Sequence, residues 1–278
     1  MADVPALTLN NGVTIPQVGF GVFQVPDAQT AAAVAEALAL GYRHIDTATL
    51  YRNERSVGQA IRESGIPREE IFVTTKLWNT DQGHDKAGRA FAASLDRLGL
   101  DYVDLYLIHW PVPAANRYTE TWAALEKLLA DGRTRAIGVS NFEPAHLERL
   151  FAESSVVPAV NQIELHPYLG QRRLREVHAE HGIVTESWSP IARGGQGGLL
   201  TDPVITAIAG RVGRTPAQVI LRWHVQHGLV PLPRSVTPSR IAENLDVFSF
   251  ALTDDDIAAI DGLDRDGRIG PHPAAFNR

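Results

Sequence analysis

The feature that most limits the fold of this chain is a beat repeated eight times, a short apolar or β-branched run followed by a segment of helical periodicity. The runs are GFGVF (19–23), RHIDT (43–47), IFVTTK (71–76), VDLYLIHW (103–110), RAIGVSN (135–141), AVNQIEL (159–165), IVTESWS (183–189) and LVPLPRS (229–235). Strands linked through helices pair in parallel. Eight such units predict an α/β fold, a closed (β/α)8 barrel of the TIM type, rather than an open sheet. Between the runs, QTAAAVAEALALG (29–41) sets Val34, Ala35 and Leu38 on one helical face and ends on a capping Gly41. TPAQVILRWHVQHG (215–228) has Thr215 as N-cap, Pro216 in the first turn and Gly228 past the end.

Three segments fall outside the beat. LTLNNGVTI (7–15) alternates on both sides of Asn10-Asn11-Gly12, which predicts a β-hairpin plugging the barrel floor. The seventh unit carries a glycine-rich stretch, PIARGGQGGLLTDPVI (190–205), which reads as a long functional loop. The tail 264–278 has no periodicity and is expected to lie as a loop over the mouth. No Pro/Ser-rich spacer divides the chain, so residues 1–278 are taken as one domain.

Composition removes several functions. With no cysteine among 278 residues, thiolate catalysis and cysteine-ligated metal centres are out, and a cytoplasmic setting is expected. A net charge of −6 without a basic run offers no footprint for nucleic acid or an anionic membrane. The N-terminus lacks a basic and apolar leader, and no stretch is long enough to span a bilayer. A small-molecule partner and a monomer are the expectation. His178 with His181, and His224 with His227, stand three apart on predicted helices without an acidic third ligand, so they read as packing residues and no metal is expected.

In a barrel of this kind, chemistry gathers where strands end and the following loops begin. Here the strand ends carry Asp46, Lys76, His109, Ser140, Asn141, Gln162, Glu164, Trp188, Ser189, Arg234 and Ser235. Any one could be incidental: Asp46 and Lys76 an ion pair, His109 a packed imidazole, Tyr51 the lead-in to a helix capped by Asn53. Together, Asp46, Lys76, His109 and Tyr51 supply a carboxylate, an ammonium, an imidazole and a phenol, the parts of a proton-donating site.

The segments GYRHIDTATLYRNERSVGQAI (41–61), TTKLW (74–78), LYLIHWP (105–111), GVSNF (138–142), NQIELHPY (161–168) and PRSVTPSRIAENLDVF (233–248) resemble the aldo-keto reductase family over nearly the whole chain. Within it, the likeness is greatest to the bacterial 2,5-diketo-D-gluconate reductases. The resemblance implies NADPH-dependent reduction of aldehydes or ketones, with Asp46, Tyr51, Lys76 and His109 as catalytic residues. Hydride addition leaves negative charge on the carbonyl oxygen, and an acid must neutralise it. A free phenol, of pKa about 10, is a poor acid near neutrality, so Lys76 is expected to lower the pKa of Tyr51 while Asp46 holds the lysine.

The same resemblance implies a nicotinamide on Trp188 with its carboxamide at Ser140, Asn141 and Gln162. Ser189 and Ile191 would meet the pyrophosphate. Arg234, Ser235, Val236 and Arg240 would surround the 2′-phosphate, and Glu243 and Asn244 the adenine. Two guanidiniums ahead of a helix N-terminus suit a phosphate on physical grounds as well. Phe23, Trp78, His109 and Trp110 would wall the substrate pocket. Arg52, Arg193 and Arg234 depart from the family pattern, and Arg52 is expected to narrow the entrance or meet an anionic substrate. Two other readings stand beside this one: a non-catalytic NADPH-binding regulatory subunit, and a barrel hydrolase or isomerase that would need a second acid beside Asp46, for which Glu164 is the candidate.

Overall fold

The structure is a computed structural model that describes residues 4–277. A two-stranded hairpin, β1 (Ala6–Thr8) and β2 (Thr14–Pro16), precedes eight parallel strands: β3 (Phe20–Gly21), β4 (His44–Asp46), β5 (Phe72–Leu77), β6 (Val103–Ile108), β7 (Thr134–Ser140), β8 (Val160–Glu164), β9 (Val184–Trp188) and β10 (Val230–Pro231). They pair in chain order from β3 to β10, and each falls on one of the eight predicted runs, β5 and β7 reaching one residue beyond theirs. Backbone bonds from Gly19 N to the Pro231 carbonyl and from Gly21 N to the Pro233 carbonyl, each 3.1 Å, join the last strand to the first and close the barrel. Pro231 and Pro233 have no N–H to return, which keeps the regular part of β10 to two residues.

The strand pleat explains why polarity is confined to one end. Side chains at alternate positions face the barrel axis. In β5 and β6, Val73, Tyr106 and Ile108 join the core between sheet and helices, while Phe72, Leu105 and Leu107 join a separate inner cluster with Ala136, Ala159 and Val160. Continuing each inward series upward gives Phe72, Thr74, Lys76; Leu105, Leu107, His109; Val160, Gln162; and His44, Asp46. His109 thus sits in register with two inward leucines, one step above the apolar layers. Leu9 and Ile15 of the hairpin region close the other end by packing into the inner cluster. This is the expected floor plug.

Helix boundaries mostly follow the sequence signals. The first helix begins at Asp27, two residues before the predicted segment, and ends at Gly41 in a left-handed conformation. Helix Pro216–Gln226 has its expected Thr215 cap, completed by Gln218 as a capping box. Two readings need correction. Asn53 precedes helix Glu54–Glu63, but its side chain does not cap it. Its amide instead ties Thr47 Oγ1 to the carbonyl of Val22, bracing neighbouring loops at 2.8 and 3.0 Å. The stretch 190–205 is not loop throughout, because Asp202 caps a helix, Pro203–Val212, that takes its last residues. The remainder is a chain of tight turns with positive φ at Ala192, Arg193, Gly194, Gly195, Gly197 and Gly198.

Candidate active site

Lys76 is fully buried, and its Nζ donates to both carboxylate oxygens of Asp46 (2.7 and 2.8 Å), to the Thr47 carbonyl (2.9 Å) and to the Tyr51 hydroxyl (3.4 Å). Tyr51 reaches this point from a single 3₁₀ turn after β4, Thr49–Tyr51. The His109 ring stands edge-on to Tyr51 (centroids 5.7 Å) and to Trp78 (5.2 Å). The structure therefore brings the four expected residues together.

Their electrostatics follow from burial and from one another. Burial works against the charge on Lys76, but its neighbours, the Asp46 carboxylate foremost, outweigh it, so the ammonium holds its proton more tightly than an ordinary lysine. Burial pushes the Tyr51 phenol up to about 12, with Lys76 pulling it down and Asp46 adding to the rise. This corrects the expected direction: Asp46 cancels much of the lysine's field, and what remains does not overcome desolvation of a phenolate. Tyr51 therefore holds a proton to give throughout the neutral range. Burial, then Lys76, keeps His109 neutral far below the usual histidine range, so it is a hydrogen-bonding group rather than a cation.

A cavity of about 900 Å³ opens above these groups and runs from Trp78 and Trp110 past Trp188 to the helix Pro238–Leu245. Every residue expected to meet a nucleotide lines it: Ser140, Asn141, Gln162, Trp188, Ser189, Ile191, Arg234, Ser235, Val236, Arg240, Glu243 and Asn244, as do Phe23, Trp78, His109 and Trp110. Among the described residues, the large apolar side chains that stand most exposed are Phe23 (42 %), Leu50 (38 %) and Val236 (49 %), and all three are in its wall. Apolar surface left open around one cleft is characteristic of a ligand site.

The wall is braced from behind. Asn141, in left-handed backbone (φ 63°), donates to the His109 carbonyl at 3.0 Å and accepts from Trp188 Nε1 at 2.8 Å. The far edge of the Trp188 indole lies against Gly270, where a methyl group would come within 2.5 Å of the ring. Gly270 is held in turn by buried Glu164, whose carboxylate accepts from Gly270 N (2.8 Å) and Ile269 N (2.6 Å). Glu164 is thus an anchor for the tail, not a second acid beside Asp46. Beyond the anchor, Phe276 packs on Trp110 at 4.3 Å, extending the aromatic wall.

Other expected residues take particular places. Arg234 donates to the carbonyls of Phe23 and Gln24 at 3.3 and 3.2 Å, and among the described residues neither it nor Arg240 forms an ion pair. Glu243 accepts from Thr215 Oγ1 at 2.6 Å. Arg193 is in the cavity wall, but Arg52 is not: it is exposed, in left-handed backbone (φ 58°), the conformation glycine takes most easily. The paired histidines pack, His178 between Asn161 and Thr185 and His224 against the Leu165 carbonyl. His44 and Glu186 were missed. Both are fully buried beneath Asp46, and a glutamate among the inward residues of a core strand was the available signal.

An eight-stranded barrel whose mouth joins a lysine-bound phenol to a long nucleotide-sized groove is an oxidoreductase. The chain belongs to the aldo/keto reductase family, whose model matches residues 17–265. It is similar to morphine 6-dehydrogenase of Pseudomonas putida (55 % identical, over 97 % of this chain and 94 % of that protein). It is also similar to methylglyoxal reductase DkgA of Escherichia coli strain K12 (48 %, over 99 % of each). A solved structure of a Gox0644 mutant in complex with NADPH superimposes with a TM-score of 0.94 at 50 % identity, covering 99 % of each chain. The aldo-keto reductase membership expected from the sequence is borne out.

Proposed function

We propose that this enzyme uses NADPH to reduce small aldehydes and ketones, α-dicarbonyls and keto sugar acids foremost, with Tyr51 as general acid. The observation that carries the reading is Lys76 Nζ, which touches the Asp46 carboxylate and the Tyr51 hydroxyl at once beneath an open cavity. When bound, NADPH supplies the hydride that goes to the carbonyl carbon. Tyr51 gives its proton to the oxygen that gains the electron pair, and Lys76 steadies the phenolate that remains. Neutral His109 donates to the carbonyl oxygen and points it at the phenol.

The residues fit the nucleotide. Trp188, fixed by Asn141 and Gly270, offers a braced flat face for the nicotinamide, and Ser140, Asn141 and Gln162 stand beside it for the carboxamide. Arg234, ahead of helix Pro238–Leu245, and Arg240, in its first turn, are free of carboxylate partners among the described residues and line the cavity with Ser235, a setting for the 2′-phosphate. Ser189 and Ile191, also in the cavity wall, would meet the pyrophosphate, and Val236, Glu243 and Asn244 the adenosine. A relative named for methylglyoxal supports a small dicarbonyl, while the morphine enzyme at higher identity argues that the wall of Phe23, Trp78, Trp110 and Phe276 decides size. The same reading takes the chain as a single cytoplasmic barrel domain acting as a monomer.

The test is a panel of carbonyls with NADPH or NADH, followed at the dihydronicotinamide band. Consumption of NADPH with α-dicarbonyls supports the reading. Nucleotide binding without turnover of any carbonyl would favour the regulatory-subunit alternative.

A further inference from the structure

Below the phenol, the barrel interior holds an amide shared between two carboxyl groups. Gln162 Nε2 donates to Asp46 Oδ2 at 2.9 Å and to Glu186 Oε2 at 2.8 Å. A primary amide has two N–H bonds, and both are spent here. The assignment of nitrogen and oxygen in this side chain is chemically forced, since the reverse would set a carbonyl oxygen against the Asp46 carboxylate. Gln162 also lines the cavity, so its carbonyl oxygen is the end left to face the mouth. Its neighbours in the wall are less available: Asn141 is committed at both ends, and the Ser140 hydroxyl donates to the Gln162 backbone carbonyl at 2.8 Å.

We propose that Glu186 is a positioning residue: by taking the second N–H of Gln162 it locks the amide with its oxygen toward the cavity, where it accepts from the nicotinamide carboxamide. The inference rests on the NADPH reading above. It assigns a task to a carboxyl group that the proton-transfer scheme leaves idle and that a core strand would otherwise not carry. Asp46 alone fixes one N–H, and a single bond leaves an amide able to pivot; the second, on the opposite side, removes that freedom. The charged and titratable groups facing Glu186 are His44, whose Nε2 lies 3.6 Å from Oε1, and Asp46 and Lys76 across the axis. Burial and Asp46 raise the carboxyl's pKa and burial lowers that of His44, so the pair favours its neutral form, and in either protonation state Oε2 keeps a lone pair for Gln162.

The experiment compares two ligands on purified protein by calorimetry: NADP+, and adenosine 2′,5′-bisphosphate, which has the phosphates but no nicotinamide. Glu186→Val, a β-branched residue suited to a buried strand, should weaken NADP+ about three- to tenfold, the worth of one net hydrogen bond, and leave the bisphosphate unchanged. Glu186→Gln, which keeps an acceptor oxygen, should restore NADP+ affinity. If the valine variant does not fold, Glu186→Ala takes its place. Equal loss for both ligands, or no loss of NADP+, would overturn the assignment. A wild-type protein that binds neither ligand would instead sink the nucleotide reading, and the Glu186 role with it.

Discussion

The floor and the mouth of this barrel are built from the same strands by opposite rules. At the floor, Leu9, Ile15, Phe72, Leu105 and Leu107 pack without a polar atom among their side chains. At the mouth, a buried lysine, two carboxyl groups and a neutral imidazole crowd together. The backbone divides in the same way. In the helix-to-strand turns below, every left-handed residue is a glycine (Gly41, Gly65, Gly99, Gly132, Gly182 and Gly228). Above, the strand-to-helix connections force side chains into that conformation at Gln24, Arg52, Val112, Asn116, Asn141, Gln171, Ser189, Ala192 and Arg193. Each such residue costs of order 1 kcal/mol or more. The floor is relaxed and supports the fold, and the mouth tolerates strain because side chains must be aimed there.

Tyr51→Phe should separate the two regions most sharply. It should lower turnover by about 10² to 10⁴-fold, while thermal stability and NADP+ binding stay close to wild type. Turnover within tenfold of wild type would take Tyr51 out of the proton-donor role. The reverse case is Ile15→Ala, which should cost about 2–5 kcal/mol in urea unfolding but leave kcat/KM intact below the melting transition. A floor variant that lost activity while still folded would erase the contrast.

Within the mouth, Arg240→Ala should weaken NADPH binding by about ten- to hundredfold and NADH binding little, as expected for a charge-assisted contact to phosphate. Equal loss for both nucleotides would remove the 2′-phosphate role.

Acid should reveal the same contrast through protonation. His44, His109, His178 and His224 are held neutral by burial, their pKa values pressed below the ordinary 6.5, to about 3 for His44 and His178. The unfolded chain binds these protons first. The stability that His44 and His178 contribute is therefore fully present above about pH 6.5 and is lost as pH falls toward 3, at up to about 1.4 kcal/mol per residue per pH unit, and His109 and His224 act in the same direction. His109→Gln should make that acid slope shallower and Ile15→Ala should not, which denaturant midpoints across pH would check.

The fold was legible because its beat is local: apolar runs, caps and turn residues each announce themselves within a dozen positions. Asp46, Tyr51, Lys76 and His109 were legible because strand-end chemistry and family motifs agree. Long-range contacts were not. Asn53 has the look of a helix cap, and only the folded neighbourhood makes it a loop brace. Glu164 stands in the sequence as a spare acid, and the two backbone amides it anchors, Ile269 and Gly270, are more than a hundred residues away. The Tyr51 shift came out reversed because charge can be counted from sequence, whereas desolvation depends on how tightly the surrounding atoms close in. The helix at Pro203 is masked in the sequence by the glycines before it, although Asp202-Pro203 is an ordinary helix start.

The tether from Glu164 to Ile269 and Gly270 divides the C-terminal segment into two parts with different tolerance to redesign. Residues 271–277 bring Phe276 to the aromatic wall, and exchanging them is expected, on the proposed reading, to alter the size of molecule admitted. Residues 269 and 270 belong to the foundation of the indole, so a graft that replaces them trades catalytic competence for selectivity.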